Sequence, residues 1–218
     1  MKQIYLIRHG EKTDYHGLSP YGREQVIELG KRLENRLMQG ASYCMVSSPS
    51  QRAVETATIL RPLIERKAKT NVLVQTENAF GELESFASGY ENNIKKGKEK
   101  VPFIEKYLAN KEIVLITSHL MVISSTGLGM AIHYEIPYSD TFTPRILEPD
   151  NEDLINDAMK ENKCKENEAK KWLVKKYPEI FCLPPSIPEA SALIFDLESR
   201  TVEMISCGLR KLGGEVNN

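Results

Sequence analysis

The chain is short of the features that mark specialised protein classes. Its 218 residues hold only four cysteines, Cys44, Cys164, Cys182 and Cys207, scattered and without a Cys-x-x-Cys pair. That excludes a disulfide scaffold and a cysteine-type zinc site, and it fits a reducing cytoplasm. Net charge is almost absent, with 29 Lys and Arg against 30 Asp and Glu. Such a chain has no global field with which to hold nucleic acid or an anionic membrane, so any anion site must be a local cluster. No stretch approaches the roughly 18 consecutive apolar residues of a membrane span. The opening apolar run ends at Arg8-His9, too short for a secretory signal, and no small-residue cleavage site follows. Internal repeats and low-complexity tracts are missing too. What remains is 41% apolar and 27% charged, ordinary values for a globular protein with material for a core. The length suits one domain over residues 1–218.

Strand and helix signals alternate through residue 132. Gln3–Ile7 is a nearly continuous apolar run, as in a strand buried on both faces. Ser19-Pro20 reads as an N-cap with proline at the first helical position. Val26, Ile27, Gly30, Leu33 and Leu37 then recur at helical spacing up to Gly40. Ser42–Val46 is a second strand. Ser48-Pro49-Ser50-Gln51 resembles a capping box with Ser48 as the cap. Asn71–Gln75 and Lys111–Thr117 are the third and fourth strands. Met121–Ile132 is a helix weakened by Ser124, Ser125, Gly127 and Gly129. Ala192–Leu197 and Val202–Ser206 form an edge hairpin. The pattern predicts an α/β three-layer sandwich with a mostly parallel central sheet. Residues 135–189, rich in proline around a charged helical segment, read as an insertion on the same domain. They hold too few apolar residues for a core of their own.

In such sheets ligands bind beyond the carboxyl ends of the strands. Here those ends carry Arg8-His9, Ser47-Ser48 with Arg52 just after, Glu77–Glu84, and Thr117-Ser118-His119. Arg52 falls in the first turn of its helix, where a cation opposes the helix dipole. The placement makes sense if an anion sits between them, and a phosphoryl group suits two guanidiniums and free backbone N–H groups. A neutral His9 could then attack phosphorus, one ring nitrogen held as N–H by a carbonyl. His119 would join the arginines on the phosphoryl oxygens. A carboxylate must protonate the leaving group and later activate water. Glu82 and Glu84 are the candidates, and periodicity alone does not choose between them.

Arg8-His9-Gly10-Glu11 resembles the RHG motif of the histidine phosphatase superfamily, the phosphoglycerate-mutase-like proteins. Leu18-Ser19-Pro20-Tyr21-Gly22-Arg23-Glu24-Gln25 resembles the family's L-[ST]-x-x-G-x-x-Q helix start. Ser47 to Ala53 with Thr56-Ala57 resembles its SSPxxRAxxTA segment, and Ser118-His119 its second-histidine motif. The resemblance implies His9 as phosphate acceptor and Arg8, Arg52 and His119 as the rest of the pocket. It implies Glu82 as the acid, because Glu77 to Glu82 matches the family's acidic-x-x-L-x-E pattern with Phe80 in the leucine place. It also implies a metal-independent phosphomonoesterase with no cofactor, acting on a small phosphorylated substrate in the cytoplasm. The short stretch between Arg52 and Glu82 favours a phosphatase over a mutase. Lys12, Tyr15 and Leu120 depart from the family pattern, at one auxiliary phosphate contact and at the position after the second histidine.

The rival readings are a phosphoglycerate-mutase-type transferase, a protein phosphohistidine phosphatase and a non-catalytic phospho-ligand binder. Neither nucleic acid nor membrane is expected as a partner, and a homodimer is left open. His16 and His133 are assigned no role. Lys95, Lys96, Lys98 and Lys100 read as a solvated loop, and Lys170, Lys171, Lys175 and Lys176 as the polar face of a helix.

Overall fold

Strand β1, Gln3–Arg8, is apolar on both faces and buried over five of its six residues, which makes it a central strand. In the computed structural model it lies between β4 (Ile113–Ser118), parallel, and β7 (Ser191–Asp196), antiparallel. The structure describes residues 1–81, 89–137, 145–146, 152–176, 182–183 and 187–209. With β2 (Tyr43–Ser47), β3 (Val74–Thr76) and β8 (Thr201–Ser206) the sheet runs β3-β2-β4-β1-β7-β8. The pairings among β1 to β4 are parallel, and the C-terminal hairpin β7–β8 adds the antiparallel edge.

Side-chain alternation divides the core into two layers. Tyr5 and Ile7 point to the face covered by α1 (Pro20–Leu33) and α2 (Gln51–Ala68), against Val26, Leu29, Leu60 and Ile64. Ile4 and Leu6 point to the opposite face, against α4 (Val101–Leu108) and α5 (Leu120–His133). This is the expected three-layer α/β sandwich. Among the described residues, no helix is long and apolar enough to cross a membrane.

Several expected boundaries move. Helix α1 begins at Pro20 with Ser19 Oγ accepting from the Gly22 N–H at 2.9 Å, but it ends at Leu33. Leu37 is still buried beyond it. Helix α2 starts after Ser50 rather than after Ser48, and the Ser50 side chain makes no capping hydrogen bond. The segment expected to be a lysine-rich loop holds a helix, α3 (Gly89–Lys98). A methyl group on Gly97 would collide with the Ser125 carbonyl, and one on Gly129 with the Gly97 backbone. Gly129, which weakens α5 locally, therefore lets α3 lie backbone to backbone against it through Gly97. In the insertion, α6 (Glu152–Asn162) and α7 (Glu166–Lys176) pack Ile155, Ala158, Ala169 and Leu173 together. Short strands β5 (Arg145–Ile146) and β6 (Cys182–Leu183) pair antiparallel.

The register aligns the strand ends. Arg8 is opposite Ser118 on one side and Ser191 on the other, and Ser47 is opposite Thr117. His9, Ser48, His119 and the residues just before β7 therefore leave the sheet along one rim.

Candidate active site

The loop after β1 is fastened before it reaches any ligand. The Glu11 N–H donates to Gln25 Oε1 at 2.8 Å, and the Ser19 N–H donates to the Glu11 carbonyl at 2.9 Å. Gly10 and Gly22 meet at their backbones: a Cβ on either would enter the other segment, at 2.9 Å from the Gly22 carbonyl carbon or 2.8 Å from the Glu11 nitrogen. The glycines and the glutamine of the two N-terminal motifs thus have one physical purpose, docking the Arg8–Glu11 turn onto the first turn of α1.

His9 is 6% exposed. Its Nδ1 lies 2.6 Å from the Gly10 carbonyl, which fixes the Nδ1–H tautomer and leaves a lone pair on Nε2. Arg52 Nε donates to that Nε2 at 3.0 Å. Burial pushes the imidazole down to about 3, with the charges of His119, Arg52 and Arg8 adding to the effect and the Gly10 carbonyl opposing it. His9 is therefore neutral throughout the physiological range, as a nucleophile must be.

Arg52, in the first turn of α2, is 3% exposed. Its helix packs closely on the sheet through the small Ala53 and Ala57. Thr117 Oγ1 donates to the Ala53 carbonyl at 3.0 Å and ties α2 to the end of β4.

His119 caps α5 with extended backbone, and its ring centroid lies 5.2 Å from that of His9. Its Nε2 is 3.0 Å from Ser48 Oγ and 3.1 Å from Ser50 Oγ. The serines of the β2–α2 turn thus orient the second histidine.

Arg8 donates from Nη1 to the Ile187 carbonyl at 2.5 Å, and its Nη2 is 3.5 Å from Glu189 Oε1. Arg8, His9, Arg52 and His119 line one cavity of about 210 Å³, together with Lys12, Leu120, Met121 and Glu189. The four pocket residues expected from sequence are brought together. Glu82 and Glu84 lie outside the described residues. Phe80, in the place of the pattern's leucine, is fully buried, and its carbonyl accepts from Ser118 Oγ at 2.6 Å. Tyr15 is 89% exposed.

Three participants escaped the sequence reading. Lys12, noted only as a departure, is on the cavity wall. Ser48, read as a helix cap, holds His119. Glu189 was not singled out. A usable signal for Glu189 existed in its position just before an apolar strand, but only if that strand was known to run antiparallel to β1. Among the described residues, no group of three or more His, Cys, Asp or Glu is placed to hold a metal ion.

Comparison with known proteins agrees with this geometry. A family model described as histidine phosphatase superfamily (branch 1) matches residues 4–85. A phosphoserine phosphatase from Entamoeba histolytica, solved with 3-phosphoglyceric acid, is similar over 94% of this chain and 96% of its own. Its identity is 16% and its TM-score 0.52. A mycobacterial glucosyl-3-phosphoglycerate phosphatase solved with VO3 is similar over 94% of this chain and 98% of its own, at 15% identity and a TM-score of 0.53. Its complex with inorganic phosphate covers 96% of this chain and 100% of its own, at 14% identity and 0.52. At these identities the likeness establishes the fold alone. No curated protein sequence matches the chain. Over residues 4–85 the chain is thus similar to the histidine phosphatase superfamily (branch 1), and the ordered motifs that build the pocket begin in that stretch.

Proposed function

We propose that the protein is a cytoplasmic phosphomonoesterase that works through a phosphohistidine on His9. The observation that carries this reading is the state of His9. It is neutral and its Nδ1–H is tied to the Gly10 carbonyl, so Nε2 faces a cavity walled by Arg8, Arg52 and His119.

In the first step Nε2 attacks phosphorus, an N–P bond forms and the P–O bond to the leaving alcohol breaks. Arg52 Nε transfers its hydrogen bond from Nε2 to a phosphoryl oxygen as the lone pair is used. Arg8 and His119 meet the remaining charge. Glu82 supplies the proton to the departing alkoxide. In the second step Glu82 takes a proton from water, the oxygen attacks phosphorus and the N–P bond breaks. Inorganic phosphate is released and neutral His9 is restored. The position of Phe80, fixed by Ser118 beside His119, supports Glu82. The substrate is a small phosphorylated molecule, and no step is assigned to a metal. Residues 1–218 act as one domain carrying the 135–189 insertion.

His9→Ala tests the reading. It should abolish hydrolysis of p-nitrophenyl phosphate and acid-labile labelling together, and full activity in that variant would overturn it. Replacing Glu82 by glutamine should slow alkyl phosphates far more than the aryl phosphate, whose leaving group needs no proton. An equal loss on both would reject Glu82 as the acid.

A further inference from the structure

Among the described residues one carboxylate lines the phosphate cavity, that of Glu189. A negative charge is out of place beside a phosphoryl group, since the two repel in a half-buried site. Yet Glu189 is held there. The residue after it, Ala190, is fully buried with φ at +44°, a conformation an L-residue adopts only when its surroundings enforce it. The Ala190 N–H donates to the His9 carbonyl at 3.0 Å, and its own carbonyl accepts from the Cys207 N–H at 3.0 Å. Ile187, two residues earlier, is fully buried and takes Arg8 Nη1 on its carbonyl at 2.5 Å. The backbone on both sides of Glu189 is thus pinned to the Arg8-His9 turn, and the carboxylate cannot withdraw with its loop.

Its contact with Arg8 is looser than the contacts that position it. Oε1 is 3.5 Å from Nη2, and the Glu189 side chain is 31% exposed. Arg8 Nε is buried with no hydrogen-bond partner among the described residues. The guanidinium therefore has one donor committed to the Ile187 carbonyl and others to offer an anion. Burial works against the charge of Arg8, and Glu189 works in its favour.

From this arrangement we infer that Glu189 is an internal competitor for phosphate. Its carboxylate and the phosphoryl group share the Arg8 guanidinium, and Glu189 thereby weakens the hold on product phosphate. The inference rests on the phosphatase reading and adds to it a device for product release. A carboxylate that merely aimed Arg8 would have the opposite effect, because its removal would loosen the phosphate site.

Titration calorimetry with inorganic phosphate separates the two. Glu189→Gln should bind phosphate about tenfold more tightly than the wild type, the effect of lifting one like charge near the anion. In turnover its KM and its inhibition constant for phosphate should fall together. Glu189→Asp keeps the charge and should stay within about threefold of the wild type. Glu189→Ala carries the same expectation as the glutamine variant should the latter fail to fold. Unchanged or weaker phosphate binding in the neutral variants overturns the competitor, and so does tightening of equal size in the aspartate variant. A wild-type protein that binds neither phosphate nor vanadate overturns the phosphatase reading instead.

Discussion

Replacing Gly22 by alanine tests the docking of the Arg8–Glu11 turn apart from the proposed chemistry, because Gly22 does not line the cavity. A methyl group there enters the Glu11 carbonyl oxygen and comes within 2.8 Å of the Glu11 nitrogen. Carbon contacts settle at about 3.5 Å, so clearing the nitrogen alone moves the turn by about 0.7 Å, and clearing the oxygen moves it further. The opponent is backbone rather than a flexible side chain, which puts the cost near the top of the overpacking range, about 3 kcal/mol. Alanine in a helix returns about 1 kcal/mol. The net loss of about 2 kcal/mol corresponds to a fall in Tm of roughly 4–8 °C for a chain of this size. The displaced turn carries Arg8 and His9, and a misplacement of about 1 Å at reacting atoms costs on the order of 100-fold in rate. Gly30, on the same helix, is the control. A methyl group there meets only flexible side chains, Leu60 Cδ2 at 3.3 Å and Leu63 Cδ2 at 3.8 Å, so Gly30→Ala should leave turnover of p-nitrophenyl phosphate intact and hold or raise Tm. If Gly22→Ala behaves like Gly30→Ala in both scanning calorimetry and turnover, the reasoning about the docked turn is wrong.

Two more expectations follow from the pocket. Burial holds the His9 imidazole down to about 3 in the folded protein, against about 6.5 in the unfolded chain. Above pH 6.5 both states are neutral, and below it the unfolded chain takes up a proton that the native state refuses. Stability should therefore fall as the pH falls from about 6.5 towards 3, by up to about 1.4 kcal/mol per unit from this group. Urea unfolding at pH 6.5 and 4.5 should show about 2 kcal/mol more loss in the wild type than in His9→Gln, and equal losses would contradict the buried neutral imidazole. Ser48→Ala removes the 3.0 Å contact to His119 Nε2, and kcat should drop by about tenfold, the worth of one oriented hydrogen bond. An unchanged kcat would show that Ser50 alone orients the ring.

Much of this arrangement was readable before any coordinates. The doubly apolar strand Gln3–Ile7, the Ser19-Pro20 helix start and the polar residues immediately after each strand mark the sheet and its ligand-facing edge, because strand burial and capping are local physics. Local signals also misled. Helix α3 looks like a loop because glycine and lysine fill it, but Gly97 serves the contact with α5 rather than the propensity of its own segment. Ser48 fits a capping pattern, and only the position of His119 shows that its hydroxyl serves the second histidine. Glu189 reaches Arg8 through the antiparallel pairing of β7 with β1, and nothing within Ile187–Ala190 names that partner strand.

The place of β1 in the sheet has a consequence for how the molecule is made. Its hydrogen-bonding neighbours are Ile113–Ser118 and Ser191–Asp196, so during synthesis β1 waits for more than a hundred residues before either edge is covered. Loops that long make nucleation slow, and until then an apolar strand with two open edges invites pairing with other chains. Truncation anywhere before β7 would strip β1 of one neighbour and the Arg8-His9 turn of its bond from Ala190, so shortened forms of this protein should be aggregation-prone.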